Sequence, residues 1–126
     1  MKYVPKFLLV LLMVFAPIQA AIITVFVLIM ADLVTGVYAA WKSEELITSS
    51  GLRRTITKLC VYEAALLLGF LTQTYLTGPY VPVSTIVSTF IGVTELKSVI
   101  ENLNSISGGS LLASLVSKLG SDNGRK

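Results

Sequence analysis

The sequence predicts an all-α integral membrane protein with three to four transmembrane helices and a short C-terminal amphipathic helix. The 126-residue chain is 54% hydrophobic and only 13% charged, whereas about 25% charged residues is typical of soluble proteins. Its long uncharged runs each approach the roughly 20 residues with which a helix crosses a bilayer. A single domain of this size cannot hide such runs in a water-soluble core. The lipid bilayer is therefore its predicted surroundings.

Apolar runs and helix-breaking residues divide the chain into four predicted membrane segments. These segments span residues 4–16, 19–41, 59–76 and 83–101, and an amphipathic helix follows over residues 110–119. Pro17 separates the first two segments as a helical hairpin, because proline removes a backbone donor and disfavours helix in the residue before it. A secretory signal cleaved after Ala20 is the alternative. The second apolar run, which follows at once, argues against that alternative.

Asp32 is the first candidate functional residue, because its ionisable side chain lies within apolar sequence. No residue from Phe7 to Ala31 is charged, and a carboxyl near the bilayer centre costs roughly 2.5–3.5 kcal/mol on insertion scales. Asp32 should therefore face protein or water. A helix places it on one face with Thr35, Gly36, Ala39 and Ala40. Since small residues permit close helix approach and polar ones hydrogen-bond across the contact, two roles stay open: helix packing, or a proton or water path.

A polar loop is predicted between the second and third segments, over residues 42–58. It contains Arg53, Arg54 and Lys58. Glu63 follows inside the third segment, about one turn from this basic end. An ion pair of Glu63 with Lys58 or Arg54 is the favoured interpretation, and a functional acid is the alternative.

A polar stripe marks the second half of the fourth segment. It consists of Glu95, Ser98, Glu101 and Asn102, at three- and four-residue spacing on one helical face. In one interpretation the helix leaves the membrane here and shows the stripe to water. In the other, the stripe contacts Arg53, Arg54 or Lys58 through charge-assisted hydrogen bonds.

The charges indicate orientation and not nucleic-acid binding. Ten Lys and Arg against seven acids give a net charge of +3, and the bases flank the apolar runs, as topology signals do. With four segments, an N-in, C-in arrangement places all ten bases on the cytoplasmic side. The chain has no histidine and one cysteine, Cys60, so the sequence offers no His-based metal site and no Ser-His or Cys-His catalysis. We therefore expect no cofactor and no metal.

Three motifs in this order resemble the bacteriophage holin family of the toxin-secretion or phage-lysis type. They are Asp32-x-x-Thr35-Gly36 with Ala40 and Lys42, the Ser49-Ser50-Gly51 turn followed by Arg53, Arg54 and Lys58, and Glu95-x-x-Ser98-x-x-Glu101-Asn102. The resemblance implies a small protein of the bacterial inner membrane that forms homo-oligomers and has no enzymatic activity of its own. It further implies that the membrane becomes permeable at a set time, so that a cell-wall hydrolase, an endolysin, passes or is activated.

A chain this small cannot enclose a wide pore alone. The stripes on the Asp32 and Glu95 helices are therefore predicted self-association surfaces. A small proton- or cation-coupled transporter, with Asp32 or Glu63 binding the proton or cargo, is the principal alternative. A structural membrane subunit of a secretion or phage assembly is a third possibility.

Overall fold

The computed structural model describes residues 5–109 and 111–122, and all regular structure in these ranges is helical. The α-helices are α1 (Lys6–Phe15), α2 (Gln19–Lys42), α3 (Ser49–Thr72), α4 (Val83–Ile106) and α5 (Leu111–Asp122). Within the described ranges, three helical stretches are long and apolar enough to cross a membrane: Lys6–Lys42, Ser49–Tyr80 and Val83–Ile106. The predicted all-α membrane fold is confirmed.

The first spanning stretch is continuous. One 3-10 turn, Ala16–Ile18, joins α1 to α2 in a helical stretch of 37 residues. The backbone stays in or beside the helical region at both junctions, with φ −95° and ψ 0° at Phe15 and φ −106° and ψ 5° at Ile18. Pro17 lies at the start of the 3-10 turn, where a missing N–H costs least. The helical stretch is continuous through this turn, so the predicted hairpin of segments 4–16 and 19–41 is wrong.

The third helix begins earlier than the sequence suggested. α3 starts at Ser49, after Thr48 in an extended conformation, and the Thr48 and Ser50 hydroxyl oxygens lie 2.5 Å apart. Hydroxyl-bearing residues are typical of helix N-termini. The connection between α2 and α3 is therefore residues 43–48 only. The predicted polar loop over residues 42–58 is wrong, because its polarity marks the hydrated end of a helix and not irregular chain.

Residues 73–82 connect α3 to α4. A π turn, Gln73–Thr77, leads into a 3-10 turn, Gly78–Tyr80. Gly78 adopts φ +58° and ψ −148°, a combination that is essentially restricted to glycine. The side-chain oxygen of Gln73 accepts hydrogen bonds from the Ser84 N–H at 3.0 Å and the Ser84 hydroxyl at 2.7 Å. These bonds join the end of α3 to the first turn of α4.

The last two helices extend beyond the predicted limits. α4 continues to Ile106, past the predicted end at residue 101. Gly108 and Gly109 follow with φ +77° and +86°, and the Gly109 N–H donates to the Asn104 carbonyl at 2.8 Å. This is a glycine-terminated helix end. α5 occupies Leu111–Asp122 where the sequence predicted a helix over 110–119, and its described side chains are all exposed.

α2, α3 and α4 form a three-helix bundle. Leu28 of α2 lies opposite Gly92 of α4, and Gly36 lies opposite Asn102, so these two helices run parallel. The short connection after α2 returns α3 antiparallel to both. The core of the bundle consists of Val25, Ile29, Leu66 and Ile91.

The outside of the bundle is apolar. Large hydrophobic side chains remain exposed on all three spanning stretches, including Phe7, Met13, Leu68 and Phe90. α1 contains no buried residue at all. Such a surface suits contact with lipid chains, which need no hydrogen bonds from the protein.

Candidate functional site

A lysine and two carboxylates join the three helices of the bundle, one helical turn from its apolar core. The Lys58 ammonium on α3 donates to Asp32 Oδ2 on α2 at 2.7 Å and to Glu95 Oε2 on α4 at 2.9 Å. The Glu95 side chain is 0% exposed, and those of Asp32 and Lys58 are 18% and 22% exposed. We call these three residues the charged cluster. Each spanning stretch contributes one member.

Asn102 extends the charged cluster along the contact between α2 and α4. Its side-chain NH₂ lies 3.0 Å from Asp32 Oδ1, 3.2 Å from the Asp32 carbonyl oxygen and 3.1 Å from Thr35 Oγ1. The Thr35 hydroxyl in turn donates to the Ala31 carbonyl at 2.7 Å. A Cβ on Gly36 would lie 3.4 Å from the Asn102 nitrogen. Asp32, Thr35 and Gly36 therefore form one seam with α4.

The charged cluster has more negative than positive groups. Lys58 supplies one positive charge to two carboxylates, and Glu95 Oε1 is buried without a hydrogen-bond partner. The Tyr62 ring and hydroxyl lie beside the Glu95 carboxylate without satisfying that oxygen. Because a buried polar atom needs a partner to offset lost hydration, this Glu95 oxygen carries a desolvation cost that no described residue offsets.

Glu63 does not form the predicted ion pair. Both of its carboxylate oxygens are buried, and neither has a hydrogen-bond partner. The pairing with Lys58 or Arg54 is therefore wrong. The physical reason is helical geometry: residues five apart are separated by about 140° around the axis, and only residues three or four apart are neighbours. Lys58 faces α2 and α4, whereas Glu63 lies on a different face of α3.

The remaining predicted residues occupy three different places. Ser98 lies beside the Asp32 carboxylate, and Ala40 is half-buried at the end of α2. Glu101 pairs with Lys97 at 3.6 Å on the exposed face of α4. Arg53 and Arg54 are exposed on the first turns of α3, and neither forms an ion pair with a described residue.

The small-residue face of α2 is occupied within one chain. Gly36 packs against Asn102 of the same molecule, and Asp32 bonds to Lys58 and Asn102. In this conformation the face is not available to a second copy. The sequence pattern identified a helix-packing surface, and the structure shows which helix it packs against.

Of the two interpretations of the polar stripe, the bond between Lys58 and Glu95 agrees with the contact to the basic residues. Sequence reasoning did not pair Asp32 with Lys58 or Asn102, and it missed two contacts elsewhere. The Gln73–Ser84 bonds join α3 to α4, and the Lys42 ammonium donates to the Ile106 carbonyl at the end of α4. A glutamine inside an apolar run was a usable signal for the first. Lys42 gave no such signal, because a lysine after a membrane segment is expected for orientation alone.

The charged cluster acts through charge and through the positions of its helices. Among the described residues, no group of three or more His, Cys, Asp or Glu side chains could hold a metal ion. What the charged cluster does is fix the register and spacing of three helices with charge-assisted bonds, which are about twice as strong as neutral ones.

A family model for the bacteriophage holin family matches residues 9–121. The chain belongs to this family. The match contains all of α2, α3 and α4 with the charged cluster, and most of α1 and α5. No curated protein and no solved structure matches the chain significantly.

Membership of the holin family indicates that the charged cluster lies in a membrane protein. Holins are membrane-permeabilising proteins, and three spanning-length helices make this one a multi-pass protein of the inner membrane. Asp32, Lys58 and Glu95 thus lie in spanning stretches of a holin. Ionisable residues inside a membrane are expensive and generally functional.

Proposed function

We propose that this protein oligomerises in the inner membrane and permeabilises it, so that a cell-wall hydrolase crosses the membrane or becomes active. The observation that carries the proposal is the holin family match over residues 9–121. Oligomers are needed because three helices enclose no channel wide enough for a protein. An endolysin is the expected functional partner.

The charged cluster supports a role in the timing of this process. Lys58 ties α2, α3 and α4 together, while the Glu63 carboxylate and one Glu95 oxygen are buried without partners. A rearrangement that brings these acids to water removes their desolvation cost. We propose that the compact bundle precedes assembly, and that lesions form after the helices separate at the charged cluster.

Separation of the helices would also create a self-association surface. Gly36 and Asp32 leave Asn102 when α2 and α4 part, and the small and polar face of α2 becomes available to α4 of another copy. The same contacts that stabilise one chain would then form between chains. A ring of copies would turn Glu63 and Glu95 toward a water-filled centre.

The orientation that we propose is C-in, with the N-terminus outside. The earlier N-in, C-in prediction depended on the hairpin at Pro17, and a single first span reverses the N-terminal side. Lys2 and Lys6 then lie outside, and the other eight of the ten Lys and Arg lie on the cytoplasmic side. This distribution still follows the positive-inside rule.

The test is inducible expression in a bacterial host with an impermeant DNA-binding dye in the medium. We expect dye entry and loss of membrane potential together, followed by lysis when a cell-wall hydrolase lacking a secretion signal is co-expressed. A gene with a stop codon in place of Trp41 is the control. A carrier would leave the dye outside and the hydrolase without effect, and a structural subunit would change neither measurement. Either result would refute the proposal.

A further inference from the structure

A cavity of about 580 Å³ opens where α2 ends and α3 begins. Its walls come from the last turns of α2, the connecting residues 45–48, the first turns of α3, and Ser98 and Asn102 of α4. The pair of Asp32 and Lys58 forms part of its lining. Gly36 contributes no side chain to fill it. We call this space the charged cavity.

The charged cavity presents one acid and one base that form no ion pair within the described part of the chain. Its charged lining residues are Asp32, Glu45, Arg54 and Lys58. Asp32 and Lys58 bond to each other at 2.7 Å. Glu45 and Arg54 form no ion pair with any described residue. An occupant would therefore meet a carboxylate and a guanidinium on opposite elements, the connection and α3.

An apolar groove continues directly from the charged cavity. It is lined by Leu33, Val34, Val37, Tyr38, Trp41 and Ile47, and encloses about 560 Å³. Leu33, Val37 and Ile47 line both spaces. The groove runs along the outer face of α2, where Trp41 is 67% exposed. Aromatic residues at the end of a spanning helix lie at the level of lipid headgroups.

We propose that the charged cavity and the apolar groove together bind one zwitterionic phospholipid. The phosphate pairs with the Arg54 guanidinium, the ammonium pairs with the Glu45 carboxylate, and an acyl chain lies in the groove. A soluble phosphate would leave the groove empty. An anionic lipid would place a net negative charge beside Glu45 without a compensating ammonium. The site does not depend on lesion formation, because every group that it uses is present in the closed bundle.

Trp41 provides a direct test, because it is the only tryptophan of the chain and lines the groove. The protein is reconstituted in vesicles of equal parts phosphatidylethanolamine and phosphatidylglycerol. Brominated chains, which quench tryptophan, are carried by the ethanolamine lipid in one preparation and by the glycerol lipid in the other. Both lipids offer a phosphate to Arg54, so the preference rests on the pair of the ammonium with Glu45. One exposed ion pair corresponds to a local enrichment of the ethanolamine lipid of up to roughly fivefold. Stronger quenching by that lipid is the expected result.

Two neighbouring pairs of residues supply matched controls. Arg54 and Glu45 line the charged cavity, whereas Arg53 and Glu44 carry the same charges one position earlier and do not. We expect Glu45→Gln to remove the preference for the ethanolamine lipid and Arg54→Gln to lower quenching by both lipids. Arg53→Gln and Glu44→Gln should leave both the quenching and the preference intact. Millimolar inorganic phosphate should not relieve the quenching, since it cannot fill the groove.

Several results would overturn the proposal. Equal quenching by both lipids would mean that the groove selects no headgroup. Preferential quenching by phosphatidylglycerol would indicate an anionic lipid. Equal losses in the Arg53→Gln and Arg54→Gln proteins would indicate diffuse surface attraction. Relief by inorganic phosphate would indicate a soluble anion.

Discussion

The Lys58 ammonium lies 2.9 Å from the carboxylate of Glu95, a side chain with no exposed surface. This contact joins the first half of α3 to the second half of α4, and the additional bond from Lys58 to Asp32 brings in α2. A buried charge that loses its partner costs more than the pair contributed. Removing the Lys58 ammonium should therefore lower the stability of the bundle more than neutralising the Glu95 carboxylate.

Replacing Lys58 by methionine should destabilise the bundle strongly. The Lys58→Met protein keeps the length of the side chain but leaves two carboxylates without a cation, at a cost of roughly 3–5 kcal/mol. Lys97→Met is the matched control, because Lys97 belongs to an exposed pair worth about 0–1 kcal/mol. Thermal unfolding in detergent measures both. Adding Asp32→Asn and Glu95→Gln to Lys58→Met should restore part of the loss, and equal melting of the two single variants would contradict the charged cluster.

Glutamine should lower the stability of the protein at position 95 and leave it almost unchanged at position 101. Glu95→Gln weakens a buried charge-assisted bond and should cost roughly 1–3 kcal/mol. Glu101→Gln removes an acid that is 62% exposed and should change stability by less than about 0.5 kcal/mol. Chemical unfolding of the two purified proteins tests this. If neither change altered the stability of the protein, the polar stripe of α4 would simply be exposed to water.

Glu63→Gln should stabilise the protein. The change keeps the shape of the side chain and replaces a carboxylate whose oxygens are buried without partners by a neutral amide. Removing an uncompensated buried charge favours the compact bundle. In cells, we expect later dye entry at equal protein amounts, because a more stable closed state delays assembly. Earlier dye entry with a lower melting temperature would show that Glu63 has a partner in the native membrane.

Gly36→Leu should separate α2 from α4. Even a Cβ at this position lies 3.4 Å from the Asn102 nitrogen, so the larger side chain displaces Asn102 from Asp32 and Thr35. Overpacking of this kind costs about 1–3 kcal/mol. Gly120→Leu is the control, because nothing lies within 4 Å of a Cβ there. Normal melting of the Gly36→Leu protein would show that the seam tolerates a wider spacing.

Cysteine labelling should establish the orientation. In a Cys60→Ser background, Tyr80→Cys and Leu46→Cys place single thiols at positions that are each 91% exposed, at opposite ends of the bundle. A membrane-impermeant maleimide added to intact cells should label Tyr80→Cys, and should label Leu46→Cys only after the cells are opened. Labelling of Lys6→Cys from outside would confirm the single first span. The reverse pattern for Tyr80 and Leu46 would invert the topology.

The sequence predicted which residues are exceptional better than it predicted their partners. Asp32, Glu63 and Glu95 are recognisable because charge inside apolar sequence is costly, and that cost is local. Which of them pair depends on which residues of the three helices lie at the same height along the bundle axis. That height depends in turn on the residue at which each helix begins. Because α3 was predicted to begin at residue 59, Lys58 was assigned to a loop. The contact of Lys58 with Glu95 was therefore only one of two interpretations of the polar stripe, and the contact of Lys58 with Asp32 was not predicted.

The continuous stretch Lys6–Lys42 has a consequence for the bilayer around it. Its 37 residues measure about 55 Å at 1.5 Å per residue, against a hydrocarbon thickness of about 30 Å. Even a tilt of about 40° leaves it about 42 Å long along the bilayer normal. The excess is close to the length of α1, which the 3-10 turn at Ala16–Ile18 separates from α2. We therefore expect a thicker bilayer to take more of α1 into its hydrocarbon layer and a thinner one to leave more of it at the surface.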